Sequence, residues 1–272
     1  MGRRAERGAR LPAGRKAELA TFVATQGEVT VAQLASQFDV SIDTIRRDLD
    51  QLDQLGMLTR TYGGAMSIAA GPRGELGVDT RISTHTEAKT TIGELAATLV
   101  HDGSAIMLNG GSTTLAAARA LRNRHELTIA TNNLLVPSEV APGACRDLYV
   151  YGGSVRTVTQ ATIGPVTFRD TTGENFTVQC DLALIGVGAV SAANGYTTSN
   201  LGEATMMREM MAKSSRVAVL CDSSKFDKHL FAHVADLGAA TYFVTDRSPA
   251  DELATALAAA GVNVVTPEAL AD

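Results

Sequence analysis

Apolar residues between Thr30 and Met66 recur at helical spacing in two neighbouring segments. The first segment carries Val31, Leu34, Ala35 and Phe38, and the second carries Ile42, Ile45, Leu49 and Leu52. The second set is spaced by 3, 4 and 3 residues, which is the period of one helix face and not of a strand. The pattern therefore predicts two amphipathic helices whose apolar faces point into a common core.

The joint between these helices is short. Asp39, Val40 and Ser41 separate the two apolar sets, a length that fits a helix-turn-helix joint. Ser41 is expected to begin and cap the second helix, because its hydroxyl can accept a hydrogen bond from a free backbone N–H of the first turn. Two short extended segments around Gly63 and Gly64 follow, and we expect them to form a wing.

The polar face of the second helix carries residues able to contact DNA. At about 100° per residue, Asp43, Thr44 and Arg47 point away from the apolar set, and Arg46 lies at its flank. Arginine can bind a guanine edge through two hydrogen bonds, and an inserted helix contacts bases with its N-terminal turns. We therefore expect Arg47 and Thr44 to contact base edges. Arg46 is expected to contact a phosphate or to pair with Asp50.

The wing completes this candidate DNA-binding surface. Arg60 and Tyr62 flank the Gly63–Gly64 turn and are expected to contact neighbouring phosphates. The full expected DNA-binding set is Ser41, Asp43, Thr44, Arg46, Arg47, Arg60 and Tyr62. An alternative interpretation of the same pattern is a small helical subdomain with solvated arginines, because helix pairs of this kind are common.

Three motifs in this segment identify a family. They are V-S-x-x-T-I-R-R-D-L from Val40 to Leu49, the L-x-x-L-G that follows it, and R-x-Y-G-G-A from Arg60 to Ala65. Together they resemble the N-terminal winged helix-turn-helix of the DeoR family of bacterial transcription regulators. The resemblance implies that the partner of this segment is double-stranded operator DNA.

The charge distribution is compatible with a DNA-binding N-terminus. The formal net charge is −5, but residues 1–65 hold nine Lys and Arg against eight Asp and Glu, and the remainder holds 15 against 21. DNA binding needs a basic face and not a basic chain. The basic residues at 1–12 predict a disordered tail, with a phosphate-binding arm as the alternative.

Composition also predicts the domain boundaries. A helix is predicted over 13–26 with Leu19, Phe22 and Val23 inward, so the DNA-binding domain is expected to span 13–66. The segment 67–78 contains three glycines and a proline and predicts a linker. Residues 79–272 are expected to form the second domain.

From residue 104 onward, short apolar runs alternate with helical patterns. The predicted strands are 104–108, 127–130, 148–151, 181–187, 216–221, 241–245 and 262–265. Helices are predicted at 86–100, 114–122 and 249–260. Continuous apolar strands separated by helices indicate an α/β fold with a mainly parallel sheet covered on both faces.

The loops after these strands carry small and polar residues. Ligands of open parallel sheets bind outside the C-terminal ends of the strands, and glycines followed by hydroxyls at a helix N-terminus suit an anion. Five such loops indicate a small polar ligand carrying phosphate, with Lys225 as its best phosphate partner and a solvated turn lysine as the alternative. The expected ligand-binding loop residues are Asn109, Gly111, Ser112, Thr113, Thr114, Thr131, Asn132, Gly153, Asp222 and Lys225.

This half resembles the DeoR-type C-terminal sensor domain, which is related in fold to ribose-5-phosphate isomerase. The matching motifs are G-G-S-T-T, T-N-N, Y-G-G, N-L-G-E-A and D-S-S-K-F. The resemblance implies a cytoplasmic repressor of carbohydrate genes, a homodimer or homotetramer whose DNA affinity changes when a sugar phosphate binds. One departure is Asn109, where family members often carry an acidic residue.

A sugar-phosphate isomerase or deaminase fused to a DNA-binding module is the alternative. Glu203, at a predicted helix start, resembles the isomerase base, and such chemistry also needs a cation or donor for the enediolate. No lysine occurs between Lys89 and Lys213. We therefore expect no catalysis, with Glu203 either binding a sugar hydroxyl or serving as a helix N-terminal acid.

Other classes of protein and site are not indicated. The sequence has no apolar run long enough to span a membrane and no secretory signal pattern. Its three cysteines are widely spaced and predict reduced thiols, with no metal site and no cofactor. A run of methionines at 206, 207, 210 and 211 is expected to lie in the core or on an oligomer surface.

Overall fold

The computed structural model describes residues 12–26, 28–54, 57–61, 64–66, 77–169, 172–176 and 178–268. The chain divides into two compact units, residues 1–76 and residues 77–272. Residues 1–11 of the expected tail and 67–76 of the expected linker lie outside the described residues.

Within its described residues, the first unit combines three helices with a three-stranded antiparallel sheet. The elements are α1 (Pro12–Gln26), β1 (Glu28–Thr30), α2 (Val31–Phe38), α3 (Ile42–Gln54), β2 (Thr59–Thr61) and β3 (Gly64–Met66). The strand order is β1-β3-β2, so β3 of the wing hairpin pairs with β1, the strand that precedes α2. Leu19, Val23, Leu34, Ile45 and Leu49 are fully buried and form the centre of the core.

The helix-turn-helix joint is confirmed, with two corrections. Asp39 ends α2 in the left-handed conformation at φ 53°, and the Thr44 N–H donates to Ser41 Oγ at 3.2 Å. Ser41 is therefore the cap, and α3 begins at Ile42. The prediction that Ile42 faces the core is wrong, since its side chain is 45% exposed. Helical side chains lean toward the N-terminus, so this first side chain projects past the core.

The second unit has its helices and strands in alternation along much of its length. Its helices are α4 (Val78–Ser83), α5 (Thr86–Thr98), α6 (Ser112–Ala120), α7 (Val136–Glu139), α8 (Leu201–Ala212) and α9 (Asp251–Ala259). Its strands are β4 (Ala105–Leu108), β5 (Leu127–Thr131), β6 (Cys145–Val150), β7 (Ser154–Arg156), β8 (Ala161–Ile163), β9 (Phe168–Arg169), β10 (Asn175–Phe176), β11 (Cys180–Gly186), β12 (Ala189–Ser191), β13 (Gly195–Thr198), β14 (Ser214–Leu220), β15 (Ala232–Ala235), β16 (Tyr242–Val244) and β17 (Asn263–Val265).

A seven-stranded sheet forms the centre of the described part of this unit. Its order is β17-β16-β14-β11-β4-β5-β6, and every neighbouring pair is parallel. All seven segments that the apolar pattern marks as strands join it. The predicted α/β class, with an N-terminal helix-turn-helix before a parallel sheet, is confirmed.

Both faces of the sheet are covered. Leu182 and Leu184 of β11 pack in one core cluster with α5 and α6, whereas Ala183 and Ile185 pack in another with α8 and α9. The methionines of α8 are all buried in this second cluster. Alternate side chains of one strand thus enter two different cores, which explains why its sequence is apolar without interruption.

Helices α5 and α6 lie in close backbone contact. A Cβ on Gly93 of α5 would lie 2.7 Å from the carbonyl carbon and oxygen of Ala116 in α6. Real Cβ atoms do not come this close, so the separation of the two helices depends on glycine at this position.

The pairing of β5 with β6 contains an irregularity. Leu127 pairs with Cys145 and Thr128 pairs with Asp147, so Arg146 is the extra residue of a β-bulge. Arg146 and Asp147 are both exposed and form an ion pair at 3.0 Å.

Candidate DNA-reading helix and effector cleft

The exposed face of α3 carries the residues expected at DNA. Asp43, Arg46 and Arg47 are exposed and Thr44 is half-buried. Arg46 forms an ion pair with Asp43 at 3.4 Å. Thr44 Oγ1 lies 2.9 Å from Ser41 Oγ, so the two hydroxyls are held together at the first turn.

The opposite face of α3 contains a charged residue that the apolar pattern does not reveal. Asp48 is 5% exposed, and its carboxylate accepts a hydrogen bond from Arg15 Nε of α1 at 2.7 Å. This buried ion pair fixes α3 against α1, and thereby orients the polar face that carries Arg47.

The wing is described in part. Strands β2 and β3 pair from Thr59 with Met66 to Thr61 with Gly64. A Cβ on Gly64 would lie 2.1 Å from the carbonyl oxygen of Val29, so the wing packs on β1 only with glycine there. Tyr62 and the side chain of Arg60 lie outside the described residues.

In the second unit, a small cleft of about 10 Å³ lies at the C-terminal ends of β4 and β5. It is lined by Asn109, Gly110, Asn132, Ala161, Glu203, Met206 and Met207. Three of the expected ligand residues, Asn109, Asn132 and Glu203, are therefore brought together from segments far apart in sequence.

The two asparagines of the cleft are held by the backbone. Asn109 Nδ2 donates to the Gly186 carbonyl at 2.9 Å, and its Oδ1 accepts the Gly186 N–H at 2.8 Å. Asn132 Oδ1 accepts the Gly110 N–H and its Nδ2 donates to the Thr162 carbonyl, each at 2.7 Å. Both amides thus join neighbouring loops and set the shape of the cleft.

The hydroxyls of the first two loops divide into two groups. Thr131 Oγ1 donates to the Leu108 carbonyl at 2.7 Å, and Thr114 Oγ1 donates to the Asn109 carbonyl at 2.7 Å. These two hydroxyls hold the backbone. Thr113 Oγ1, by contrast, is buried and has no hydrogen-bond partner among the described residues. Ser112 is the first residue of α6, and Gly111, which precedes it, provides no side-chain cap for this helix.

Glu203 lies at the start of α8 and is charge-paired. Its backbone N–H donates to the capping Asn200 at 3.1 Å. Its Oε1 lies 3.3 Å from Arg156 Nε, and Thr198 Oγ1 donates to its Oε2 at 3.3 Å. Arg156 belongs to β7 and was not expected at the site.

A cluster of charged groups surrounds Asp222, which follows β14 and is 1% exposed. Lys225 Nζ lies 3.3 Å from Asp222 Oδ2 and donates to the Val187 carbonyl at 3.1 Å. Burial opposes ionisation of Asp222, but Lys225, the Ser224 hydroxyl and Lys89 outweigh it and hold the pKa of Asp222 below its ordinary value.

Lys89 is the residue of this cluster that sequence reasoning missed. It is 5% exposed on α5, and its Nζ donates to the carbonyls of Arg81 and Thr84. Burial, with the nearby positive charges of Lys225 and Arg81, lowers the pKa of Lys89 to about 8 against the opposing effect of Asp222. A lysine three residues before Ile92, on the inward face of a predicted helix, was the signal available in the sequence.

Gly153 has a backbone role. It adopts φ +135°, and a Cβ there would lie 2.2 Å from the Ile163 carbonyl oxygen. Glycine at this position lets the hairpin of β7 and β8 close beside the cleft.

No helix in the described ranges is both long and apolar enough to cross a membrane. In the same residues, no group of three or more His, Cys, Asp or Glu side chains could hold a metal ion.

Comparison with known proteins assigns a family to each unit. The family model described as DeoR-like helix-turn-helix domain matches residues 15–70, and that described as DeoR C terminal sensor domain matches residues 84–247. Both resemblances seen in the motifs are confirmed by these matches.

Full-length relatives cover nearly the whole chain. The HTH-type transcriptional repressor CsqR of Escherichia coli (strain K12) is 28% identical over 253 residues, covering 92% of this chain and 94% of that protein. The L-fucose operon activator of Haemophilus influenzae is 30% identical over 235 residues, covering 85% and 91%. Among solved structures, ribose 5-phosphate isomerase A from Methanocaldococcus jannaschii has a TM-score of 0.36 and 18% identity, covering 53% of this chain and 55% of that one.

The two matched regions follow each other in one chain, and the relatives, which are named transcription regulators, match this chain over most of their length. The chain therefore belongs to the DeoR family and is a DNA-binding transcription regulator with that family's sensor domain.

Proposed function

We propose that this regulator represses carbohydrate genes and that a phosphorylated sugar, bound at the cleft of the second unit, controls its affinity for operator DNA. The observation that carries the proposal is the charge around Asp222. Lys89 and Lys225 both interact with this one buried carboxylate, so two ammonium groups converge on a single Asp222. A phosphate monoester carries a charge of about −1.5 to −2 at pH 7 and would be attracted to these lysines.

The sugar part of the ligand would meet the neighbouring cleft. Amide and carboxylate groups of Asn109, Asn132 and Glu203 line it, and such groups can bind hydroxyls. The unpartnered Thr113 hydroxyl and the start of α6 supply further donors on the phosphate side. The remaining proposed ligand residues are Gly111, Ser112, Thr114, Thr131, Gly153, Asp222 and Lys225.

A thermal-shift screen with paired sugars and sugar phosphates tests this proposal. We expect stabilisation by a sugar phosphate and none by the unphosphorylated sugar, and Lys225→Ala should abolish the shift. Lys228→Ala, which removes an exposed lysine of the same loop, is the matched control and should keep it. A shift that is equal in the two variants would place the phosphate elsewhere.

For DNA, we propose that Arg47 and Thr44 contact base edges, while Ser41, Asp43, Arg46, Arg60 and Tyr62 contact or orient the phosphates. Arg47 stands opposite the buried Leu49 face, and Arg46 is turned toward Asp43. Arg47→Ala should abolish discrimination between operator and random duplex, whereas Arg46→Ala should weaken binding to both. Retained sequence preference in Arg47→Ala would refute the assignment.

We also propose that the protein is a cytoplasmic homodimer or homotetramer, because winged modules of this kind bind paired half-sites. Sedimentation equilibrium with and without a palindromic operator measures this, and a monomer under both conditions would overturn it. Repression is tested with a reporter gene behind the operator, whose expression should rise when the regulator is removed. One relative is named a repressor and another an activator, and a fall in expression would make this protein an activator.

Finally, we propose that the cleft has no isomerase activity. The carboxylate of Glu203 is paired with Arg156 through one oxygen and accepts from Thr198 through the other, so both oxygens are already engaged by protein groups. Incubation with ribose 5-phosphate or glucosamine 6-phosphate should give no turnover. Turnover that is lost in Glu203→Gln would establish the enzyme alternative.

A further inference from the structure

Helix α4 is the first element of the second unit, and the chain that precedes it leads from the DNA-binding unit. It has six residues, too few to be stable by themselves. Its position therefore depends on what holds its two ends.

The N-terminal end is held by the hairpin of β7 and β8. The N–H of Val78, the first residue of α4, donates to the Val158 carbonyl at 2.8 Å. Val158 lies in the turn between Arg156 and Ala161, the residues that end β7 and begin β8. Both of these residues reach the cleft, since Ala161 lines it and Arg156 pairs with Glu203.

The C-terminal end is held by Lys89. The Nζ of this buried lysine donates to the carbonyl of Arg81, in the last turn of α4, and to that of Thr84, the residue that ends it. Lys89 also interacts electrostatically with Lys225 and Asp222, the pair that follows β14. The N-terminal end of α4 is therefore bonded to the hairpin whose Arg156 pairs with Glu203, and the C-terminal end is bonded to Lys89, which interacts with Lys225 and Asp222.

We propose that α4 couples the effector site to the DNA-binding unit, with the Arg156–Glu203 ion pair acting on its N-terminal end and Lys89 acting on its C-terminal end. The inference rests on the proposed function, because it takes the cleft as the effector site. A ligand that engages Glu203 changes the ion pair that holds the hairpin, and an anion beside Lys225 changes the field at Lys89. Both changes alter how firmly α4 is held, and a ligand that prefers one arrangement shifts the populations accordingly.

Hydrogen exchange of the ligand-free full-length protein tests the link. Glu203→Gln weakens the ion pair with Arg156, and we expect the hydrogen-bonded amides of α4, at residue 78 and at residues 81–84, to exchange about fivefold faster, the factor that losing one ordinary hydrogen bond gives. The measured quantity is the ratio of exchange in α4 to exchange in the central strands β4 and β11, so general destabilisation cancels.

The matched control is Asp147→Asn. It weakens the ion pair of Arg146 with Asp147 on β6, in the same unit but among residues that line neither the cleft nor α4. We expect the exchange ratio in α4 to stay at the wild-type value in this variant. An equal rise in both variants, or no rise in Glu203→Gln, would overturn the proposal.

A second variant tests the link in the opposite direction. Val78→Pro removes the N–H that Val158 accepts, at the first helical position, where proline is well tolerated. The preceding Gly77 has φ −53° and ψ 151°, the extended region that a residue before proline adopts. Val78→Ala keeps the N–H and controls for loss of the buried side chain.

Because coupling is reciprocal, loosening α4 should loosen the hairpin. We expect faster exchange over residues 154–163 in Val78→Pro, relative to the central strands, and wild-type exchange in Val78→Ala. Equal exchange in the two variants would refute the coupling. These measurements need no ligand, so a failed thermal-shift screen would remove the proposed effector without changing their outcome.

Discussion

The buried ion pair between Arg15 and Asp48 permits a quantitative prediction, because the same helix offers an exposed pair for comparison. The Arg15 and Asp48 side chains are 15% and 7% exposed, with Nε and Oδ2 2.7 Å apart. Arg46 and Asp43 are 57% and 73% exposed, at 3.4 Å. Both carboxylates belong to α3, so one substitution, aspartate to alanine, removes either pair from the same element.

The expected magnitudes differ several-fold. Removing one partner of a buried pair costs about 3–5 kcal/mol, and Arg15 retains some access to water, so we expect about 3 kcal/mol for Asp48→Ala. The exposed pair contributes about 0.2–1 kcal/mol, with a similar amount from the acid in the first turn, so Asp43→Ala should cost about 1 kcal/mol. About 3 kcal/mol is a large part of the stability of a unit of this size.

Native-state hydrogen exchange of the full-length protein measures both effects. The slowest amides of α3, at the buried Ile45, Leu49 and Leu52, report the free energy of opening the unit. Asp48→Ala should accelerate their exchange by roughly 100-fold. Replacing the pair by Arg15→Met with Asp48→Leu should restore most of the protection, because it leaves no buried charge without a partner.

Two results would refute this reasoning. One is equal protection in Asp48→Ala and Asp43→Ala, which would mean that burial of the pair adds nothing. The other is a double variant as unstable as Asp48→Ala, which would mean that packing and not charge is responsible. High salt should reduce only the small effect of Asp43→Ala.

Three further predictions concern the second unit. Gly93→Ala places a Cβ against Ala116 and should lower the free energy of unfolding by about 1–3 kcal/mol, measured by thermal unfolding. Gly143→Ala is the control, because a Cβ there meets nothing within 4 Å, and it should leave the stability unchanged. Equal melting temperatures of the two variants would refute the close contact. Lys89 has a pKa of about 8 and loses its charge above that pH, so affinity for a sugar phosphate, measured by calorimetry, should fall up to about tenfold by pH 9 in the wild type but not in Lys89→Met. Asp222 has a lowered pKa, so its contribution to stability is present above the ordinary value and is lost only as pH falls below it. Urea unfolding should therefore show a constant difference between wild type and Asp222→Asn from pH 7 to about pH 5, and a change within that range would implicate another group.

The centre of the sheet could be predicted from the sequence because its inner strands are covered on both faces. Strands β11 and β14 contain continuous apolar runs, which makes them visible without knowledge of their neighbours. Strands β7 to β10 gave no such signal. They have two or three residues each, and Val155 and Phe176 are largely exposed, so neither period nor composition marks them.

Candidate residues were predicted where loops follow strands, and were missed where a helix and a short strand supply charge. Asn109, Asn132 and Glu203 were found because turns and helix starts are readable, although the sequence does not reveal that the asparagine amides are engaged by the backbone. Lys89 lies within helix α5, and Arg156 lies in the short strand β7. Their roles depend on which elements pack together, which periodicity does not specify.

The bulge at Arg146 bears on how copies of this protein can associate. In the described residues β6 is an outermost strand of the central sheet, and unprotected strand edges promote aggregation through pairing with other chains. Here the bulge and the exposed charges of Arg146 and Asp147 interrupt the edge. We therefore expect that β6 does not pair with a strand of another copy, either in the assembled regulator or at the high protein concentrations of the cell. Replacing both charged residues by valine should raise light scattering on storage, and an unchanged signal would show that the edge is protected by other means.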